Sequence, residues 1–298
     1  MNLSLQKNIL LRDLTTYRIG GRAKYFLLAE TANEVRDAVK WCKDEGLQWF
    51  LIGAGSNVLV DDEGFQGLVM KLGKKFSGVR VDHGNNIVTA GGAVRLPELG
   101  MRLAELGWEG FGYMCGIPGT VGGAVRMNAG TVDGEIKENF ISAKVITASG
   151  ESVMLDNTAM RFTYRDSMLV KERGIVLEAV FRLERKADPG VLKAKTEVII
   201  SVRRSKQPIE PRNCGSVFKT PSTGKPAGWY LEQAGMKGMK IGGAMVAQEH
   251  ANWIVNTGGA TSRDIKELIN IGQARVLEKF GVKLEREVIY FPEDIQRA

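Results

Sequence analysis

The apolar positions of this chain alternate between helical and extended rhythms, and together they predict an α+β fold. From Thr31 to Glu45, Val35, Ala38, Val39 and Cys42 recur at helical spacing. Thr31 and Glu34 stand three apart as a capping box does, and Gly46 marks the stop. Trp49 to Ile52 and Gly67 to Leu72 read as buried strands. Leu96, Leu99, Leu103 and Leu106 predict a helix, and Ala143 to Ile146 and Ser152 to Leu155 flank an Ala-Ser-Gly-Glu turn as a hairpin. Ile175 to Leu183 is a further strand. Asp188-Pro189 opens a helix to about Arg204, with Val191, Ala194, Val198 and Val202 expected inward. Near the end, Ile265, Leu268, Ile269, Gly272 and Val276 predict a long helix from Ser262 to Phe280, and Leu284 to Phe291 a closing strand.

The stretch Ser205 to Arg212 carries two prolines and no periodicity, so it reads as a boundary. The expected division is 1–204, with parts of about 1–75 and 76–204, followed by a smaller unit over 205–298. The 298-residue length suits two or three compact units.

Charge and composition narrow the chemistry. Lys and Arg number 41 against 34 acidic residues, a net charge of +7, which suits anionic partners such as nucleotides. Only two histidines occur, His83 and His250, which disfavours poly-histidine metal sites and Ser-His-Asp hydrolysis. The three cysteines, Cys42, Cys115 and Cys214, form no C-x-x-C, so neither a disulfide framework nor a metal site is expected. No apolar run approaches membrane-spanning length and the N-terminus lacks a secretory core, so a cytoplasmic protein is expected.

Two small-residue loops stand out. Gly53-Ala54-Gly55-Ser56-Asn57 follows a strand as phosphate-binding loops do, but Val58 occupies the third glycine of G-x-G-x-x-G and an extended segment follows. On its own it reads as a tight strand-to-strand turn. The run from Gly116 to Ala124, GIPGTVGGA, is denser in glycine than a hairpin needs. A backbone lying close against a flat ligand would use it. Asn128-Ala129-Gly130 continues the theme.

These segments also carry a resemblance over nearly the whole chain. TTYRIGG from Thr15, GAGSNVLV from Gly53, GIPGTVGGA from Gly116 and NAG from Asn128 are followed by YRDS from Tyr164. GSVFK from Gly215, HANW from His250 and LEREV from Leu284 complete the order. The chain resembles the UDP-N-acetylenolpyruvoylglucosamine reductase family, and looks like its compact subtype without the extra tyrosine-bearing loop. The resemblance implies a two-lobed FAD-binding domain of the vanillyl-alcohol-oxidase type plus a smaller α+β substrate-binding domain. It also implies reduction of UDP-N-acetylglucosamine-enolpyruvate for peptidoglycan synthesis. NADPH would reduce FAD, and flavin N5 would pass hydride to the enolpyruvyl β-carbon.

Site roles follow from the same resemblance. Arg165 corresponds to a catalytic arginine suited to the substrate carboxylate, Ser216 to the donor of a proton to the α-carbon, and Glu287 to a third member that polarises or protonates the intermediate. Glu285 shares a strand face with Glu287, and only the resemblance selects between them. Cys214 reads as packing. FAD would contact Gly53, Gly55, Ser56, Asn57, Val58, Pro118, Gly119, Gly122, Gly123, Asn128, Ala129 and Gly130. Substrate would contact Tyr164, Arg204, Lys219 and Asn252. Thr220, Thr131-Val132 and Trp253 depart from the family pattern. A different flavin enzyme of the same fold, oxidising an alcohol or lactone, is the rival expectation. Binding of nucleic acid is disfavoured because no recognition motif occurs, and no membrane contact or obligate protein partner is expected.

Overall fold

The computed structural model describes residues 3–206, 212–222 and 224–296, without the side chains of 204–206 and 296. The chain forms two compact units, and they are interleaved in sequence. The first comprises residues up to Lys7, Tyr25–Ala54 and Gln66–Arg203; the second comprises Asn8–Lys24, Gly55–Phe65 and the chain from Arg204 onward. The expected contiguous division is corrected at its N-terminal half: residues 8–24 and 55–65 cluster with the C-terminal part. Within the Ser205 to Arg212 boundary stretch, residues 207–211 lie outside the described residues.

In the first unit the helix Ala32–Asp44 forms as expected. Glu34 N–H donates to Thr31 Oγ1 while Thr31 N–H donates to the Glu34 carboxylate, a reciprocal cap worth ~1 kcal/mol. Its inward residues pack on Leu27, Leu68 and Met70. The strand Trp49–Leu51 pairs in parallel with Phe65–Leu72. A five-stranded antiparallel sheet orders Ser152–Asp156, Phe140–Thr147, Gly174–Arg182, Ile87–Gly91 and Val79–Asp82. Ile146, Ile175 and Leu177 from this sheet join the core under Ala32–Asp44, so the expected cut near residue 75 does not separate the two cores cleanly.

The helix Pro189–Lys206 is rotated from its expected face. Leu192 and Thr196 are buried, whereas Val191, Val198 and Val202 are exposed. Thr196 is tolerated inside because its hydroxyl donates to Leu192 O at 2.9 Å. Glycines on the facing segment leave room for this face: Ile199 and Thr196 approach Gly112, and Arg203 lies over Gly116.

The second unit is built on the helix Ser262–Phe280, whose predicted inward residues are all buried. Thr261 and Asp264 cap it reciprocally, and Gly281 at φ 66° ends it. A small antiparallel sheet orders Arg212–Asn213, Ile254–Asn256, Ala244–Val246 and Lys240–Ile241, and Val58–Val60 pairs in parallel with Ile289–Phe291. The expected strand from Leu284 shortens to Ile289–Phe291. Arg286 turns back to form a two-pronged ion pair with Asp294, with its guanidinium 3.5 Å from the Tyr290 ring centroid, which breaks strict alternation.

Among the described residues, no helix is long and apolar enough to cross a membrane, and no group of three or more His, Cys, Asp or Glu could hold a metal ion.

Candidate active site

In the first unit the two small-residue loops meet. A Cβ on Gly53 would lie 2.7 Å from Thr120 Oγ1, so the glycine is required for this contact. A Cβ on Gly122 would lie 3.1 and 3.3 Å from the Gly92 and Val176 carbonyl oxygens, and one on Gly130 would strike Glu135 and Gly134. Gly119 differs: nothing lies within 4 Å of its added Cβ, and at Gly123 only Thr120 Oγ1 does, at 3.6 Å. Pro118 and Gly123 are exposed. No internal packing explains glycine at 119 and 123, and a flat ligand lying on the backbone does. On this ground the residues present fit a flavin.

Arg165 sits at the tip of a tight reverse turn. Thr163 and Asp166 exchange backbone hydrogen bonds at 3.1 and 3.2 Å, and Arg165 adopts φ 55°. Its guanidinium donates to Gly130 O at 2.5 Å and lies 4.9 Å from the Tyr164 ring centroid. Tyr164 is exposed. Asn128, fully buried at φ 43°, donates to both Glu135 Oε2 and Thr163 O, and accepts from Lys137 N–H. Its amide is therefore taken up by protein, as is the Ala129 backbone, which donates to Ala124 O and accepts from Ile136.

In the second unit, Gly55 at φ 64° touches protein closely: its Cβ would lie 2.1 Å from Leu14 O. Ser56 is half-buried and Val58 buried. Asn57 Nδ2 donates to Glu287 O at 3.0 Å, and Ile289 N–H donates back to Asn57 O.

The segment after Gly215 runs against residues 285–287. Glu287 N–H donates to Val217 O at 2.8 Å and Lys219 N–H to Glu285 O at 2.9 Å. This register brings Ser216 to the Glu287 end and Lys219 to the Glu285 end. Lys219 Nζ binds the exposed Glu285 carboxylate at 2.6 Å. The structure thereby separates two glutamates that alternation alone left equivalent. Gly215, at φ 80° with its N–H donating to Asn213 Oδ1, turns the chain so that Ser216 follows in half-buried space. Among the described residues the Ser216 hydroxyl has no hydrogen-bond partner. Asn252 accepts from Phe218 N–H and donates to Phe218 O, at 2.9 and 2.8 Å. Asn252, expected to contact substrate, thereby clamps the serine-bearing segment. The side chain of Arg204 lies outside the described residues.

Cys214 is buried beside Glu287 and Tyr17. Burial first, and the Glu287 charge with it, pushes the thiol up to about 12, so it remains protonated and inert at neutral pH. Burial likewise holds the Tyr17 phenol well above its ordinary range. Trp253 is buried with Ala247 and Val255, and Val132 projects fully into solvent.

His250 supports the Asn252 clamp, since its Nδ1 accepts from Asn252 N–H at 3.2 Å. Burial and then Lys237 hold the imidazole below its ordinary 6.5, against Glu232, which pairs with that lysine. The folded state therefore binds fewer protons than the unfolded chain as the pH falls past 6.5, and stability drops. The loss is at most about 1.4 kcal/mol per pH unit. Denaturant titrations from about pH 8 to about pH 5 should show a smaller loss for His250→Gln; equal losses would refute this role.

The sequence did not single out Asn213 or the clamping role of Asn57. Arg203, half-buried over Gly116 and lowered from its ordinary value by burial, was hidden in a basic run beside Arg204.

Comparison with known proteins gives concordant matches. The C-terminal domain of UDP-N-acetylenolpyruvoylglucosamine reductase matches residues 207–291, and an FAD binding domain matches 23–156. A UDP-N-acetylenolpyruvoylglucosamine reductase from Synechococcus is 40% identical over 97% of this chain and 94% of its own. One from Caldicellulosiruptor bescii is 38% identical over 95% and 89%. The crystal structure of UDP-N-acetylenolpyruvylglucosamine reductase from Thermus caldophilus matches with TM-score 0.83 at 32% identity, over 98% of this chain and 100% of that one. A 6-hydroxy-D-nicotine oxidase from Arthrobacter nicotinovorans matches with TM-score 0.50 at 17% identity, over 100% of this chain and 64% of that one. That likeness bears on fold alone.

Proposed function

The chain belongs to the UDP-N-acetylenolpyruvoylglucosamine reductase family, and from that premise we propose that it reduces UDP-N-acetylglucosamine-enolpyruvate to UDP-N-acetylmuramate with NADPH. The substrate carries both a diphosphate and a carboxylate, in keeping with the chain's net charge of +7. The first unit would provide most of the FAD-binding surface and the second most of the substrate-binding surface. Gly119 and Gly123, with Pro118 beside them, offer an open backbone on which FAD would lie. FAD, once bound and reduced by NADPH, supplies the hydride.

The protein's own side chains then serve the charge and the proton. Hydride addition at the β-carbon builds negative charge on the α-carbon and its carboxylate. The Arg165 guanidinium suits that carboxylate in charge and planar geometry. Ser216 gives its proton to the α-carbon, and Glu287, as the carboxylic acid, would donate a hydrogen bond to the anionic intermediate or return a proton to the serine oxygen. The observation that carries this reading is the backbone register 217–287, which runs the segment bearing Ser216 alongside the segment bearing Glu287. Tyr164 and Lys219 are proposed substrate contacts, Lys219 by exchanging Glu285 for diphosphate, and Arg204 a further one. A reaction that consumes NADPH and a nucleotide-sugar would suit the cytoplasm.

The first test is spectroscopic. Purified protein should show the visible absorption band of bound flavin, or acquire it after mixing with FAD and desalting. Enolpyruvyl substrate should then drive NADPH consumption without oxygen. A preparation that stays colourless, or a flavoprotein that turns over alcohols with oxygen and ignores the enolpyruvyl ether, would overturn the assignment.

A further inference from the structure

Three asparagines share one geometry. Asn57 Nδ2 donates to the carbonyl of Glu287 itself. Asn128 Nδ2 donates to the carbonyl of Thr163, the base of the turn that carries Arg165. Asn252 brackets Phe218 with one bond accepted and one donated, and its own carbonyl accepts from Val217 N–H at 2.9 Å, immediately after Ser216. One asparagine amide therefore holds the backbone of Glu287 itself, another that of Thr163 at the base of the Arg165 turn, and a third that of Phe218 just beyond Ser216. From these contacts we propose that Asn57, Asn128 and Asn252 are positioning residues, one each for Glu287, Arg165 and Ser216. This rests on the proposed roles of those three residues.

The residue type suits the task. A primary amide offers donors and an acceptor in one plane, so it can bind a main-chain group and a second anchor together. Asn128 uses this fully: Glu135 Oε2 at 3.0 Å and Lys137 N–H at 3.0 Å are its anchors. Glu135 is fixed in turn by Lys137 at 2.6 Å. On the far side of the same turn, the Ser167 hydroxyl donates to Arg126 O at 2.6 Å, and Arg165 donates to Gly130 O. The turn is thus pinned to the chain between Arg126 and Gly130. Asn252 is nearly buried and Asn128 wholly so; loss of the Asn252 bond leaves the Phe218 carbonyl without its amide donor, and loss of the Asn128 bond leaves the Thr163 carbonyl to Asp166 N–H alone. A reacting group displaced by about 1 Å can lose on the order of 10²-fold in rate.

The discriminating experiment is a double-variant cycle on the holoenzyme. Asn128→Asp keeps the shape but turns an oxygen toward Thr163 O or Glu135. We expect substrate-dependent flavin reoxidation to slow by ~10–100-fold, with NADPH-dependent reduction changed less than about threefold and FAD content unaltered. In the Arg165→Ala background the same substitution should cost less than about twofold more, because a residue acting through Arg165 has nothing left to position. Multiplying losses, or an equal slowing of both half-reactions, would overturn the positioning role. Normal reoxidation in Arg165→Ala alone would instead overturn the proposed role of that arginine. Should Asn128→Asp not fold, Asn57→Asp with Glu287→Gln makes the same comparison at the half-buried clamp.

Discussion

Replacing Ser216 by alanine should split the catalytic cycle in two. The Val217–Glu287 backbone bond and the Gly215 turn do not involve the hydroxyl, so the local fold survives the substitution. NADPH should bleach the bound flavin at a near-normal rate. Reoxidation by enolpyruvyl substrate should fall by ~10²–10⁴-fold, the usual worth of a positioned proton donor. Affinity for the UDP-sugar should change little, because one hydroxyl is a small share of its contacts. Stopped-flow absorbance separates the two steps. Equal slowing of both would reassign Ser216 to flavin binding or folding, and no slowing of either would make it an ordinary half-buried serine.

A second large effect is expected from a single methyl group. Gly55→Ala places a Cβ 2.1 Å from the Leu14 carbonyl oxygen and 2.7 Å from Thr15 Cα, at φ 64°. Both obstacles are backbone, so neither can rotate away. Left-handed strain of roughly 1–2 kcal/mol adds to overpacking of roughly 1–3 kcal/mol, a total of about 2–5 kcal/mol. Thermal unfolding should drop by roughly 5–15 °C. Gly119→Ala is its counterpart, since open space surrounds that position. Stability of the flavin-free protein should stay within about 0.5 kcal/mol, while FAD affinity, followed by fluorescence quenching, falls. An unshifted melting curve for Gly55→Ala would contradict the close contact. Unaltered FAD affinity in Gly119→Ala would remove that glycine from the flavin surface.

How much of this was legible in sequence depended on whether the deciding interaction was local. The caps at Thr31 and Thr261 lie within three residues of their partners, and both helices were readable to their inward faces. The helix Pro189–Lys206 was not, because Val191, Val198 and Val202 satisfy the same period as the face that is buried. Room left by Gly112 and Gly116, more than 70 residues away, decides the rotation. The glycine-rich loops were visible as such, but their letters do not distinguish Gly53, confined by Thr120, from Gly119, confined by nothing. The asparagines are the clearest instance. Asn57 and Asn128 lie in segments that resemble cofactor loops, yet their amides hold protein backbone. For Asn57 that backbone is 230 residues away, beyond any periodicity argument.

The interleaving of the second unit has a consequence for how the chain comes off the ribosome. Tyr17, Ile19 and Leu59 are buried among residues from Cys214 to Tyr290, Asn256 ties the carbonyl of Tyr17 at 2.9 Å, and Val58–Val60 finds its parallel partner only at Ile289–Phe291. Those segments are made well before their partners and must wait until residues 289–291 have been translated. Pairings so distant in sequence close slowly, and an apolar strand left waiting is an opening for self-association. Translation stalled near residue 205 would leave the strand Val58–Val60 unpaired, although the five-stranded sheet is by then complete. The nascent protein is therefore most vulnerable at its beginning, and its final strand acts as the latch that ends the exposure.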